Sequence, residues 1–298
     1  MPTHTFMVSM PLFNTIALIG RYNGSTGAKS LNELGAFLIA RGCRVLLEAD
    51  SAAATGVNGF EVADYTALGA QVDLAVVLGG DGSMLNAARN LARFKVPLIG
   101  VNQGRLGFMT DMTAESMLEA MAQLLDGKYS VEDRTLLVAE VLRDGEKTFS
   151  TIALNDVVVN KGAVGRLIEF LVRIDGAFVY DLRADGLIVA TPTGSTAYAL
   201  SSNGPILQPT VPAVALVPIC PHTLSNRPIA LSDDSCIEIT LKSAVDALLH
   251  FDGQPQVDLM EGDKVIVRRA DHPIRFVHPP GYSYFAMLRE KLHWSEMY

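Results

Sequence analysis

Cysteine, positive charge and long apolar runs are all scarce in this sequence, and each scarcity removes a class of protein. Three cysteines (Cys43, Cys220 and Cys236) stand in 298 residues. They are odd in number and lack metal-ligand spacing, so no disulfide framework is expected and reduced thiols in the cytoplasm are. Lys and Arg total 24 against 32 Asp and Glu, a net charge of −8. Non-specific nucleic-acid binding needs a basic face, so nucleic acid is not an expected partner. A negative total does not exclude a phosphate site, because glycine nests and helix ends act locally. No apolar run approaches the roughly 18 residues that span a bilayer, so no membrane partner is expected either. The first ten residues contain His4 but no Lys or Arg ahead of a short apolar stretch, and a secretory leader is not expected. Low-complexity linkers and internal repeats are absent.

Familiar site signatures are missing too. Residues 20–30 run Gly-Arg-Tyr-Asn-Gly-Ser-Thr-Gly-Ala-Lys-Ser, where Ala28 separates glycine from lysine and breaks the P-loop spacing. The same segment is not GxGxxG, so it reads as a loop and helix start, although a turn after a first parallel strand can lie near a ligand crevice. Histidines at 4, 222, 250, 272, 278 and 293 show neither HExxH nor paired ligand spacing.

What is present is strongly patterned. The chain is 49% hydrophobic and 19% charged, which suits a globular protein of one large or two ordinary domains. Residues 15–20, 44–48, 72–78 and 97–101 read as buried strands. Residues 29–41 read as a helix through Leu31, Leu34, Phe37 and Leu38, ending at Gly42. Residues 113–126 read as a second helix, capped by Thr113 and faced by Met117, Leu118, Met121 and Leu125. Near-continuous apolar strands alternating with helices imply a parallel sheet covered on both faces. From about Tyr129 the pattern becomes β-rich, over 134–142, 148–159, 167–180, 186–190, 214–219, 236–241 and 263–269. Asp144-Gly145 and Asp175-Gly176 look like hairpin turns. The expected fold is therefore α/β, with an N-terminal parallel-sheet nucleotide-binding domain over 1–127 and a sandwich-like β-rich domain over 128–280. A final helical segment, 281–298, is too isolated to fold alone and is expected to return to the first domain.

The stretch richest in chemistry is Leu78-Gly79-Gly80-Asp81-Gly82-Ser83. A buried strand stops in two glycines, presents one acid and restarts as a helix expected over 83–93. Glycines at 79, 80 and 82 permit unusual backbone dihedrals and remove Cβ atoms that would block a ligand. The freed N–H groups and the positive end of the helix suit a phosphate. An acid there repels phosphate unless it binds a metal or accepts a proton from the group being phosphorylated, which points to phosphoryl transfer. The plainer alternative makes Asp81 a turn former in a tight connection.

A second segment ends the apolar strand Leu187-Ile188-Val189-Ala190 in Thr191-Pro192-Thr193-Gly194-Ser195-Thr196-Ala197-Tyr198-Ala199-Leu200-Ser201. Its short hydroxyls suit sugars and phosphates, and Tyr198 can stack on a base. Its plainer reading is a Ser/Thr-rich connection with Thr196 capping a helix.

At these residues the chain resembles the NAD kinase family. The resemblance rests on Gly79-Gly80-Asp81-Gly82-Ser83, Leu154-Asn155-Asp156, Asp185-Gly186 with 191–198, and Pro221-His222-Thr223-Leu224-Ser225-Asn226-Arg227-Pro228. These occur in order between Thr15 and Arg269. Gly-Gly-Asp-Gly alone is shared with lipid kinases and phosphofructokinases, whereas the 185–201 and 221–228 segments are specific. Ser83 stands where the family more often has threonine, and both offer a hydroxyl.

The resemblance implies transfer of the γ-phosphoryl of ATP to the 2′-hydroxyl of the adenosine ribose of NAD, giving NADP, in a cleft between the domains. Asp81 would be the catalytic base, with the backbone of Gly79, Gly80 and Gly82 around phosphates. Asn155 and Asp156 would meet ribose hydroxyls or the adenine edge. Asp185 would accept from the nicotinamide carboxamide or an exocyclic amine. Thr196, Ala197, Tyr198, Ala199, Leu200 and Ser201 would line the nucleotide pocket, and Gln254 follows as a family-like glutamine. Arg166, in the turn after the strand holding Asn155-Asp156, suits a phosphate or carboxylate. His222 is a candidate site-lining residue. Arg183, two positions before Asp185, implies selectivity for NAD over NADH, although its charge alone would not favour a cationic nicotinamide. A divalent cation, Mg²⁺ by preference, is implied by the chemistry, with no ligands identified, and a homo-oligomer (dimer or tetramer) by the family. A lipid or sugar kinase sharing the glycine element, and a non-catalytic NAD(P)-sensing protein, are the alternatives. Nothing supplies a greasy substrate tunnel, and a sensor has no need of an acid beside phosphates.

Overall fold

The computed structural model describes residues 13–20, 25–104, 107–162, 166–223, 225–244 and 246–294. Residues 21–24 of the 20–30 segment, 163–165 before Arg166, Leu224 of the 221–228 segment and the first ten residues lie outside that set. The chain divides into two compact units, one comprising residues 1–132 and 275–298, the other 133–274.

The first unit begins β1 (Thr15–Gly20), α1 (Ser25–Ala40), β2 (Arg44–Glu48), α2 (Ala49–Thr55), β3 (Glu61–Ala63), α3 (Tyr65–Gln71), β4 (Leu74–Leu78) and α4 (Asp81–Leu91). It continues with β5 (Leu98–Asn102), β6 (Met112–Thr113), α5 (Met117–Leu125) and β7 (Ser130–Arg134). The second unit holds β8 (Leu137–Arg143), β9 (Glu146–Ala153), β10 (Asp156–Lys161), β11 (Ile168–Ile174), β12 (Ala177–Ala184), β13 (Gly186–Ala190) and the short α6 (Tyr198–Ser201). It ends with β14 (Ala213–Ile219), β15 (Ile229–Ser232), β16 (Ile237–Ser243), β17 (Ala247–Phe251), β18 (Gln254–Leu259) and β19 (Lys264–Arg269). The chain then returns to the first unit as β20 (Ile274–His278) and α7 (Tyr284–Lys291).

In the first unit the order β3-β2-β1-β4-β5-β20-β7 forms one sheet, with β6 on β5, and the pairs among β1 to β5 are parallel. Strands β4 and β5 are buried at every position, because helices cover a parallel sheet on both faces. Ile16, Leu18, Val76, Ile99 and Val101 meet Leu31, Leu34 and Leu38 of α1 and Met117 and Met121 of α5 in one core. Burying about ten such side chains at roughly 1.5–3 kcal/mol each makes this core the main support of the β4–α4 turn.

The second unit packs two six-stranded sheets, β15-β14-β13-β10-β17-β18 and β12-β11-β16-β19-β8-β9, all antiparallel where paired. Val157 and Val159 of β10 enter the sandwich core with Leu187, Val189 and Phe170. Val158, Ile188 and Ala190 point the other way, onto Ala199 of α6. Two buried faces explain the consecutive apolar residues Val157 to Val159 in β10 and Leu187 to Ala190 in β13. The turns Asp144-Gly145 and Asp175-Gly176 both have positive φ at both residues, the mirror-image hairpin geometry that Asp-Gly favours.

Several local expectations are corrected. α5 begins at Met117, not at 113, and has no side-chain cap. Thr113 is instead in β6 and exchanges hydrogen bonds with Ser116 in a turn. α4 begins at Asp81, two residues earlier than expected. The 148–159 run is broken at Leu154-Asn155 into β9 and β10. Thr196 caps no helix; its hydroxyl returns to the Thr193 carbonyl.

Candidate functional site

In the first unit, the candidate residues lie at the β4–α4 turn. Gly79 N–H donates to the Val101 carbonyl at 2.9 Å, so the turn is tied to the neighbouring strand β5. None of Gly79, Gly80 and Gly82 has positive φ, so the expectation of unusual dihedrals at these glycines does not hold. They serve space instead. A Cβ on Gly79 would collide with the Ser83 side chain, whereas Gly80 and Gly82 face open space. Asp81 occupies the first turn of α4, where the helix dipole favours an acid. Its Oδ2 accepts from Phe108 N–H and its Oδ1 from Met109 N–H, both at 3.0 Å. A carboxylate has about four acceptor positions, so each oxygen keeps one lone pair for a further donor. Gly107 makes the seat possible, since a Cβ there would strike Asp81.

The second unit carries candidate residues of its own. A cavity of about 310 Å³ is lined by Asn155, Asp156, Asn160, Tyr198, His250 and Asp252, among others. The 154–156 turn is built by tertiary contacts. Asp252, at the β17–β18 turn, accepts the backbone N–H groups of Leu154, Asn155 and Asp156 at 3.2, 2.7 and 3.3 Å. Thr191 donates its hydroxyl to the Leu154 carbonyl at 2.5 Å and its N–H to the Asn155 carbonyl at 2.8 Å. Gly194 packs against the Asn155 backbone with no room for a Cβ.

The cavity is polar and incompletely paired. Asn155 Oδ1, Asn160 Oδ1 and His250 Nε2 are buried without a hydrogen-bond partner, a costly arrangement unless a ligand meets them. Burial, and then the nearby Asp252 charge, push the Asp156 carboxyl from 3.8 to about 7. Burial lowers the His250 imidazole, which therefore favours the neutral form. Tyr198 is 42% exposed, and burial followed by the charges of Cys220, Asp185 and Asp156 raises its phenol.

The remaining expected residues are spread around this cavity's elements. Thr196 closes a short 3-10 turn and Ala197 precedes α6, which carries Tyr198, Ala199, Leu200 and Ser201. Ala199 is fully buried in the apolar layer behind the cavity, a packing position. Asp185 sits between β12 and β13 and pairs with Lys161 at 2.6 Å. Arg183 pairs with Glu169 at 3.0 Å across β11 and β12, on an exposed face. His222 is exposed, and its N–H donates to the Arg183 carbonyl. Arg166 and Gln254 are exposed. A larger cavity of about 560 Å³, walled by Arg268, Arg269 and Asp271, contains none of the expected residues.

Sequence reasoning missed Asp252, Asn160 and His250. Asp252 had one signal, the Asp-Gly pair of a hairpin turn, which has positive φ at both residues. Among the described residues no group of three or more His, Cys, Asp or Glu is arranged to hold a metal ion, and no helix is long and apolar enough to cross a membrane.

Comparison with known proteins places this architecture. The ATP-NAD kinase N-terminal domain matches residues 18–129, and the ATP-NAD kinase C-terminal domain matches 154–279. The NAD kinase of Aromatoleum aromaticum is 55% identical over 95% of both chains. The NAD kinase of Azoarcus sp. is 54% identical over 95% of this chain and 97% of that protein. Among solved structures, yeast NADH kinase complexed with NADH superposes with a TM-score of 0.88 at 27% identity, covering 97% of this chain and 90% of that one. An NAD kinase from Archaeoglobus fulgidus in complex with ATP gives 0.74 at 25% identity, covering 94% and 98%. By class the molecule is a kinase with a parallel-sheet first domain and a β-rich second. The chain belongs to the ATP-NAD kinase family.

Proposed function

We propose that this protein transfers the γ-phosphoryl group of ATP to the 2′-hydroxyl of the adenosine ribose of NAD, releasing ADP and NADP. The observation that carries the reading is the seat of Asp81, whose carboxylate is held by two backbone N–H groups beside a glycine turn with open space. The solved relatives, one with NADH and one with ATP, support both substrates. In this reading Asp81 accepts the 2′-hydroxyl proton as the oxygen bonds to the γ-phosphorus and the bond to the β,γ-bridging oxygen breaks. Gly80 and Gly82, with no Cβ and open space around them, let phosphates approach the backbone at the start of α4.

Asn155, Asp156 and Tyr198 take the nucleotide. The unpaired Asn155 and Asn160 carbonyl oxygens suit an amine or amide donor, and the exposed Tyr198 ring a base. Thr196, Ala197, Leu200 and Ser201 flank that ring, Asp185 and Gln254 contact the rest of the dinucleotide, and Arg166 a phosphate. Mg²⁺ accompanies ATP. The three cysteines are unpaired, which suits the cytoplasm, and a homo-oligomer, dimer or tetramer, is the assembly we assign.

One assay tests the reading. Purified protein incubated with ATP, Mg²⁺ and NAD should form NADP. Phosphorylation of a lipid or sugar in its place, or NAD binding without turnover, would replace it with a kinase of another substrate or a sensor.

A further inference from the structure

A buried acid–histidine pair in the first unit lies outside both groups of candidate residues. Asp111 Oδ2 and His278 Nδ1 are 2.6 Å apart, with side chains only 10% and 2% exposed. The Tyr282 ring stacks on the imidazole at a centroid distance of 3.7 Å and an interplanar angle of 9°. His278 Nε2 is buried with no partner. A buried polar pair is a poor source of net stability, because desolvation offsets much of the attraction. Its use here is geometric.

Asp111 ends the loop that seats Asp81. Phe108 and Met109 supply the two N–H groups on the carboxylate. Thr110 Oγ1 accepts from Gly107 N–H at 2.9 Å and from Asn102 Nδ2 at 3.4 Å. Asp111 N–H reaches the Gly100 carbonyl of β5 at 3.2 Å. Gly100 itself has no room for a Cβ, which would lie 2.8 Å from the Met109 carbonyl oxygen and 2.9 Å from Thr110 Cγ2. The loop is thus pressed on β5, with Asp81 on one end and His278 on the other. An N–H···O bond weakens steeply as its angle falls below about 120°. Two adjacent amides can serve one carboxylate only while the loop backbone keeps its orientation.

We infer that Asp111 and His278 are positioning residues for Asp81, acting through residues 107–111. The inference rests on the reading of Asp81 as the base. His278→Phe keeps a ring against Tyr282 and removes the donor to Asp111. It should lower kcat by about 10–10²-fold, the scale of a small misplacement of a reacting group, with KM for NAD and ATP unchanged within about twofold. His278→Asn, whose amide nitrogen can occupy the Nδ1 position, should recover most of that loss. In an Asp81→Asn background, His278→Phe should cause no further fall. Asp111→Asn reads the same coupling should the phenylalanine variant fail to fold. Unchanged kcat in a folded His278→Phe protein, or an equal loss in both backgrounds, overturns the inference while leaving Asp81 as base. Near-wild-type kcat in Asp81→Asn alone overturns the base itself.

Discussion

Two aspartates follow strand ends in turns, and their surroundings differ in kind. Asp81 opens a helix and receives one backbone N–H on each carboxylate oxygen. Asp156 opens β10, is 3% exposed, and has a second carboxylate, Asp252, as its charged neighbour. In the first turn, donors fix the acid's orientation and glycines leave its front open. In the second, the backbone donors go to Asp252, and burial followed by the Asp252 charge makes Asp156 hold its proton to about neutrality. In the function proposed above, the first acid acts on a proton and the second recognises a ligand that enters its cavity.

The largest effect should come from Asp81. Asp81→Asn keeps shape but removes the proton acceptor, and loss of a general base costs about 10²–10⁴-fold in rate. Steady-state NADP formation should fall by that order, while calorimetry shows nucleotide binding kept or tightened. If raising Mg²⁺ partly restores turnover, Asp81 acts as a metal ligand and the contrast with Asp156 is drawn wrongly.

Asp156→Ala comes next. It removes hydrogen bonds to the nucleotide and should cost about 2–4 kcal/mol in kcat/KM, with folding retained. Normal turnover would remove Asp156 from substrate recognition. The same residue sets a pH dependence of stability. Its carboxyl titrates at about 7 when folded and at 3.8 when free, so the native state binds more protons between those values. The stability this group contributes is full below 3.8 and is lost as pH rises through about 7. Urea unfolding of Asp156→Asn should lack that decline, and parallel profiles for the two proteins would reject the assignment.

A smaller effect separates the glycines of the first turn. Gly79→Ala forces a Cβ onto Ser83 and should cost about 1–3 kcal/mol of stability by overpacking. Gly82→Ala meets open space and should leave the melting temperature nearly unchanged while raising KM for ATP. Equal melting temperatures in the two variants would mean that Ser83 moves aside freely.

Smallest is the exposed Arg183–Glu169 pair. Arg183→Ala should change stability by less than about 1 kcal/mol, as exposed ion pairs do. Its reading is the ratio of kcat/KM for NAD to that for NADH. Wild-type protein should favour NAD, and a ratio near one would end the case for Arg183 as a selectivity residue.

Much of this molecule is local and therefore legible in the sequence. Apolar runs at 15–20, 74–78 and 97–101 mark strands buried on both faces. Asp-Gly pairs mark hairpins because few residues other than glycine, asparagine and aspartate tolerate positive φ. The glycine-flanked Asp81 and the 185–201 segment carry their chemistry in adjacent residues. Tertiary structure alone decided what surrounds them. The 148–159 run breaks at Leu154-Asn155 because Asp252, nearly a hundred residues away, takes the N–H groups there. The amides on Asp81 come from Phe108 and Met109, 27 and 28 residues on, and His278 meets Asp111 across 167 residues. No period or turn rule spans such distances. They are set when cores close and bring loop ends together, so the sequence names the acids and only the fold assigns their donors.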